Sequence, residues 1–480
     1  MRAAVVPLVA GRLLSGCVAV GPDHQPPDAA SLAGGEEGFR FARAYAAEAP
    51  LADWWTAFDD QWLDALVARG AAENRTLAIA AANLRAARAA RGVARLNRLP
   101  TDNAFARYQE TRSSAVQLAG VGIGGDQVDP NDNIDFTDLG VSAAWEVDLF
   151  GRVTRLIEAA TADADAAQAA LDDVRATIAA DIADAYVFLQ GLQAQRAVAS
   201  RNAENLQRTL DLVRELRGVG RVTDLDVDQA RAQLLISEAA IPAFDADIAE
   251  TASRLGVLVG ASPSEGIELV ADDAPLHLVT EEIAVGDPSS LLRRRPDVAA
   301  AERRLAAATA RIGLNVAEAF PRIDLLGDVG VRAIGFEDVF APTALNFAVG
   351  PQISWSATDL LRARDRVEGA EAAAAGALAA YEQTVLTALQ ETETALARQA
   401  RAQERYAKLA AAEEAAGAAA DVARLRYEAG RVDFLQVLDA ERVALTTAND
   451  AAAARTDIAR AQIEVFRALR AGAPAPAAAE

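Results

Sequence analysis

The sequence predicts a mostly helical chain that also carries strands with one apolar and one polar face, suited to a membrane β-barrel or to a soluble sandwich, built from one helix–strand–strand–long helix–helix unit used twice. Three observations predict it. The segment Trp145–Arg152 recurs as Trp355–Arg362 at an offset of 210, and the same offset relates Gly220-Arg221-Val222 to Gly430-Arg431-Val432, Val227 to Val437 and Ala230 to Ala440. Self-similarity at a fixed offset marks a duplicated structural unit. Proline is absent from 131 to 241 and from 352 to 473, and both stretches are rich in the better helix formers Ala, Leu, Arg, Glu and Gln. Finally, Leu345, Phe347, Val349, Ile353 and Trp355 alternate with Asn346, Ala348, Gly350, Gln352 and Ser354. That period of two places one apolar and one polar face on a strand.

Along the chain, residues 1–17 read as a signal segment. Leu14-Ser15-Gly16-Cys17 resembles a bacterial lipobox, and Cys17 is the only cysteine, so no internal disulfide can form. Processing would leave Cys17 as the lipid-bearing first residue, with Val18 rather than Asp after it, which suits the outer membrane. Arg12 interrupts the apolar run, a departure from an unbroken signal. Residues 18–58 follow as a Pro-containing tether, and Asp53-Trp54-Trp55 opens the folded part. The first repeat spans 59–260, a non-helical link 261–294, the second repeat 295–470 and a tail 471–480.

Each repeat opens with a helix. The first runs from about Asp60 to Leu99, broken near Gly70, and stops at Pro100. Its second copy is offset by 221, which relates Leu77, Leu84 and Pro100 to Val298, Leu305 and Pro321. Strands follow near 102–112, 141–149, 323–332 and 345–356, with a Gly/Asp-rich loop at 119–135 and another at 334–343. Gly122-Ile123-Gly124-Gly125 reads as a flexible loop tip. Long helices then run from about Val153 to Arg217 and from Ala363 to Ala429, each roughly 100 Å at 1.5 Å per residue. Leu171, Val174, Ile178, Ile182, Ala185, Leu189 and Leu192 form a stripe for lengthwise packing. Gly220 and Gly430 stand where the helices reverse, in left-handed caps.

Four strands cannot close a barrel, because an open edge in lipid leaves backbone groups unpaired at several kcal/mol each. The chain must borrow strands from copies of itself. Two copies supply eight and three supply twelve, and residue pattern alone does not choose. Other classes fare worse. The net charge is −22 with no basic patch, which argues against nucleic-acid binding. No run of 18 apolar uncharged residues occurs, so no spanning helix is expected. The two histidines, His24 and His277, lie far apart, with no metal-ligand cluster, nucleophile elbow or phosphate loop, so neither an enzyme nor a metal site is expected. Arg293-Arg294-Arg295 reads as a solvated helix start.

Several motifs, in order along nearly the whole chain, resemble the TolC-like outer-membrane factor family in its lipidated multidrug-efflux branch. They are Gly16–Asp23, Trp145–Arg152, Arg294-Arg295-Pro296-Asp297-Val298, and Arg426–Gly430 with Leu435–Ala440. The resemblance implies a homotrimer whose twelve-stranded barrel in the Gram-negative outer membrane continues into a long α-helical periplasmic barrel. It implies a periplasmic adaptor protein and an inner-membrane pump as partners, no cofactor beyond lipid on Cys17, and no bond chemistry. Gly220, Arg221, Val222, Gly430, Arg431 and Val432 match the turns that adaptor hairpins contact. Leu435 and Asp439, at i and i+4 on one helix face, match an apolar and an acidic constricting ring. Asp226 matches a residue that pairs across the tip, and Arg426 and Tyr427 match its partners. A type I protein-secretion duct shares this architecture, and a coiled-coil lipoprotein tether without a pore is the alternative of another class.

Overall fold

A computed structural model describes residues 19–28, 39–41, 52–112, 133–269, 276–280 and 283–471. Cys17 and most of the loop at 119–135, including Gly122-Ile123-Gly124-Gly125, lie outside them. The helices are α1 (Gln61–Glu73), α2 (Arg75–Leu96), α3 (Arg152–Gly218), α4 (Asp224–Leu258), α5 (Pro263–Glu268), α6 (Pro288–Arg294), α7 (Pro296–Ala317), α8 (Ala357–Glu428) and α9 (Phe434–Ala468). The strands are β1 (Thr101–Arg112), β2 (Asn133–Glu146), β3 (Arg322–Ile334) and β4 (Leu345–Ser354). The duplication is literal: α2-β1-β2-α3-α4 is followed by α7-β3-β4-α8-α9. Helices α2 and α7 have 22 residues each, and α4 and α9 have 35 each.

One compact unit contains the sheet, with residues Arg85–Asp165 and Arg303–Ala379 and the leader up to Pro26. Its strands pair antiparallel in chain order, β2 against β3 joining the two copies. Strands β1 and β4 form the outer edges, as four strands of an unclosed barrel must. Phe347, Val349 and Ile353 stay 67–76% exposed on a single protomer. Each copy closes its strand-to-helix junction alike. Trp145 Nε1 donates to Arg98 O at 3.0 Å, and Trp355 Nε1 donates to Ala319 O at 3.2 Å. These pairs obey the two offsets read from sequence.

The junctions then diverge for a local reason. In copy one, Arg152 grips Glu146 through two hydrogen bonds of 2.7 and 2.6 Å. Asp148 accepts from Val153 N, Thr154 N and Thr154 Oγ1, which satisfies orphan donors at the start of α3. Gly151 makes the turn at φ 75°, a left-handed conformation that glycine adopts freely. Copy two has Leu361 in place of Gly151, so no such turn forms there. Helix α8 begins at Ala357, earlier than the expected Ala363, and has 72 residues against 67 in α3.

The second unit comprises Pro27–Leu84, Ala166–Glu302 and Ala380–Glu480. Trp54 is fully buried and stacks on Phe466 with centroids 4.7 Å apart. Asp60 caps α1 and also accepts from Tyr186 Oη at 2.9 Å. The predicted stripe on α3 is buried at Leu171, Ile178, Ile182, Ala185, Leu189 and Leu192. Helix α3 is held to α9 and to Arg470 just beyond it by antiparallel ion pairs: Asp173–Arg470, Asp181–Arg467 and Asp184–Arg460, at 2.7–2.9 Å.

Three expectations are corrected. The first helix breaks at Asn74, not Gly70: Asn74 turns extended, caps the next helix through Leu77 N and donates to Leu258 O. Gly70 stays within the helix, and its missing side chain makes room for Ile182, whose Cδ1 a Cβ there would meet at 2.2 Å. The link at 261–294 is not wholly irregular, since α5 and α6 lie within it, each opened by a proline after a Ser or Asp cap. Arg295 is not solvated. It is 1% exposed and donates to Ala468 O at 2.5 Å, to both Asp297 oxygens at 3.0 and 2.6 Å, and to Glu391 at 2.8 Å. Burial alone would raise the Asp297 pKa; the hydrogen bonds and charge of Arg295 outweigh it and hold the carboxyl below its ordinary value.

Arg295→Ala should therefore strand two carboxylates and cost about 3–5 kcal/mol. Thermal unfolding in detergent should show a lowered midpoint that Arg295→Lys only partly recovers. An unchanged midpoint would rule out this cluster as the anchor of α7.

Candidate functional site

The candidate site is the pair of turns joining α3 to α4 and α8 to α9. Both are built by the same bonds. Gly220 N donates to Arg217 O and Arg221 N to Leu216 O, at 3.0 and 2.9 Å. At offset 210, Gly430 N donates to Tyr427 O and Arg431 N to Arg426 O, both at 2.8 Å. Gly220 and Gly430 have φ of 72° and 68°, the left-handed value that lets a helix stop and reverse. Thr223 and Asp433 then cap the returning helices. Thr223 completes a capping box, its backbone N and Oγ1 both donating to Asp226 at 2.8 Å.

The closing contacts differ at equivalent positions. In the first turn Arg217 donates to both Asp224 oxygens, at 2.7 and 3.1 Å, with both side chains exposed. The bonds and charge of Arg217 hold the Asp224 carboxyl below its usual pKa. This link is complete above the ordinary carboxylate pKa and is lost as pH falls through the lowered folded value. In the second turn the same positions hold Tyr427 and Phe434, buried, with ring centroids 5.5 Å apart. They belong to a core with Leu206, Leu210, Val213, Ala230, Leu234 and Val437. One turn is clasped by solvated charge and the other by packed aromatics.

The predicted site residues divide among these surroundings. Leu435 is 62% exposed, and so is the Asp439 side chain at 67%, which accepts from Arg442 at 3.0 Å. They share one face of α9, while Phe434 and Val437 fill the opposite, buried face. Asp226 is half-buried and spends one oxygen on the Thr223 cap. Tyr427 lies near it: burial first, then the Asp226 charge, pushes the phenol pKa up. Arg426 is exposed, and among the described residues no ion pair joins it to Asp226 within one protomer. Arg221, Gly220, Gly430 and Arg431 are exposed, Val222 and Val432 half-buried. Arg221 reaches across to Glu428 O at 3.5 Å, so the two turns touch.

A second site lies in the sheet-bearing unit, where the leader docks. Val20 N donates to Phe150 O at 3.1 Å. Arg155, with its side chain 5% exposed, donates to Val20 O at 3.0 Å, Gly21 O at 3.3 Å and Asp23 Oδ1 at 2.8 Å. A Cβ on Gly151 would meet Ala19 at 2.4 Å, so the glycine makes room for the leader. Sequence reasoning treated 18–58 as a tether and missed Arg155, whose partners in the leader lie more than 130 residues away, beside the local Glu158. It also missed Glu441 and Thr209, discussed below.

Known proteins resemble this chain over nearly its whole length. A sequence profile described as outer membrane efflux protein matches residues 66–261 and 288–470. The chain is 29% identical over 476 residues to nodulation protein T of Rhizobium leguminosarum bv. viciae, covering 99% of this chain and 94% of that one. It is 30% identical over 465 residues to outer membrane protein OprJ of Pseudomonas aeruginosa, covering 96% and 94%. Among solved structures, the outer-membrane channel OprN superposes with a TM-score of 0.87 at 36% identity, covering 95% of this chain and 100% of that one.

The contrast between the turns predicts unequal salt sensitivity. At 1 M salt, where screening falls to about 3 Å, amide exchange should quicken at 217–224 and stay slow at 427–434. Equal acceleration of both turns would contradict the asymmetry.

Proposed function

The chain belongs to the outer membrane efflux protein family, and we propose that its two hairpin turns carry the gate of an exit channel. The protein is the outer-membrane channel of a tripartite efflux system in a Gram-negative bacterium. It acts as a homotrimer with a periplasmic adaptor and an inner-membrane pump. Twelve strands, four from each chain, supply the barrel.

The observation that carries the gate reading is the split face of α9. Leu435 and Asp439 project from one side, and Phe434 and Val437 are buried on the other. Three copies around an axis would turn Leu435 into an apolar ring and Asp439 into a ring of carboxylates. Such a ring attracts cations and opposes anions. On this reading Asp226 and the nearby Tyr427 restrain the hairpins within a protomer, and the exposed Arg426 is left to pair with a neighbouring copy. The exposed turns at Gly220–Val222 and Gly430–Val432 are the surface offered to the adaptor.

The docked leader supports lipidation at Cys17. Ala19 to Asp23 are held on the start of α3, so an acyl group on Cys17 would sit two residues from a fixed point of the sheet-bearing unit. The lipid then anchors the barrel as well as the chain.

Relatives with nearly equal identity carry different cargo names. One, 29% identical, is a pyoverdine export protein of Pseudomonas putida, and another, 28% identical, belongs to a toluene efflux pump. A siderophore and a small hydrocarbon share little chemistry. That spread suits a duct whose selection lies in the pump partner. On this reading the chain itself performs no bond chemistry, and the pump supplies the energy.

Asp439→Ala should raise single-channel conductance in planar bilayers; an unchanged conductance would place the constriction elsewhere. Cys17→Ala should abolish incorporation of labelled acyl groups in cells, and a variant still labelled would refute the lipid site.

A further inference from the structure

Behind the face that carries Leu435 and Asp439 lies a charged residue that the gate reading leaves unused. Glu441 is 4% exposed, on the side of α9 opposite Asp439, one turn beyond Val437. Its Oε1 accepts from Thr209 Oγ1 of α3 at 2.7 Å and from Arg424 Nη2 of α8 at 3.2 Å. Thr209 is itself 2% exposed. One carboxylate oxygen thus ties together three helices, two from the second hairpin and one from the first. The other oxygen, Oε2, is buried and finds no protein partner among the described residues.

The duplication shows what has been added here. Both copies contain the local pair Asp211–Arg214 and its equivalent Asp421–Arg424, at 3.4 and 3.2 Å. At offset 210 from Glu441 the first copy carries Arg231, and at that offset from Thr209 the second carries Ala419. The cross-hairpin bond therefore exists once per chain, from hairpin two to hairpin one. The equivalent positions Arg231 and Ala419 form no such bond, so the repeated unit does not itself require it. A buried carboxylate also costs more than an apolar residue there, and one oxygen lacks a protein donor.

We propose that Glu441 is a positioning residue of the gate, a latch to Thr209 that sets how far the Leu435–Asp439 face projects in the resting channel. The inference rests on the gate reading above. Breaking the bond loosens the turn end of α9 against α3: there the remaining contacts between the hairpins are packing by Tyr427, Phe434 and Val437 and the one bond from Arg221 to Glu428 O, while the Asp184–Arg460 and Asp181–Arg467 pairs hold the far end. Arg424 keeps its local partner Asp421 in either state.

The test uses the full-length trimer in planar bilayers. Glu441→Leu and Thr209→Val should each raise conductance by about twofold or more, since each relaxes the constriction that limits flow. The double variant should rise no further than the larger single change, because both remove one bond. Glu441→Gln, which keeps an acceptor for Thr209, should return most of the wild-type value. Asp439→Ala runs beside them as the control for the gate itself. If Asp439→Ala raises conductance and Thr209→Val does not, the latch is overturned and the gate stands. If neither changes it, both are overturned. Fully additive increases in the double variant would also overturn the latch. Should Glu441→Leu fail to yield trimer, the near-isosteric Thr209→Val decides alone.

Discussion

An unpaired strand edge is not tolerated in hydrocarbon, and the rest of this structure follows from that. Each backbone N–H and C=O left open in a bilayer core costs several kcal/mol. The chain supplies four antiparallel strands whose outer edges, β1 and β4, find no partner among the described residues of the protomer. Two of those strands come from each copy of the duplicated unit, with β2 and β3 sealing the copies together. Closure then has to come from other chains, and trimerisation is part of the fold rather than an addition to it.

The duplication gives the helical unit the same twofold character, and the departures from symmetry lie at the strand-to-helix junctions and the hairpin turns. Gly151 has no counterpart at Leu361, so α8 starts earlier than α3. Arg217 and Asp224 become Tyr427 and Phe434, replacing a solvated clasp by a packed one. Glu441 replaces Arg231 and reaches the other hairpin. Regions far from the turns are held by contacts of another kind. The Asp173–Arg470, Asp181–Arg467 and Asp184–Arg460 ion pairs and the buried Arg295 cluster fix helix against helix by several opposed charges at once. Firm anchorage there leaves the turns as the part with fewer directional restraints.

Much of this was legible from residue pattern. The stripe from Leu171 to Leu192 announced a packed helix because burial follows the helical period. The alternation at 345–354 announced β4 because side chains of a strand change face at every residue. What pattern could not reach were residues whose surroundings are built by distant chain. Gly70 read as a helix break, yet its missing side chain makes room for Ile182, while Asn74 interrupts the helix by capping both ways. Arg295 read as solvated because its partners Glu391 and Ala468 lie 96 and 173 residues away. Glu441 meets Thr209 across 232 residues. The signal that could have found it was the charge reversal against Arg231 in the other copy, once the offset was known.

The most direct test of the account is where β1 and β4 find their partners. Cysteine pairs can be scanned with one member in 104–110 of β1 and the other in 346–352 of β4, and oxidised in isolated outer membranes. Closure by three chains predicts a covalent ladder that ends at trimer, with no cross-linked monomer. A ladder ending at dimer would mean an eight-stranded barrel. An internal β1–β4 link would mean that the chain closes on itself. Either result would contradict the account.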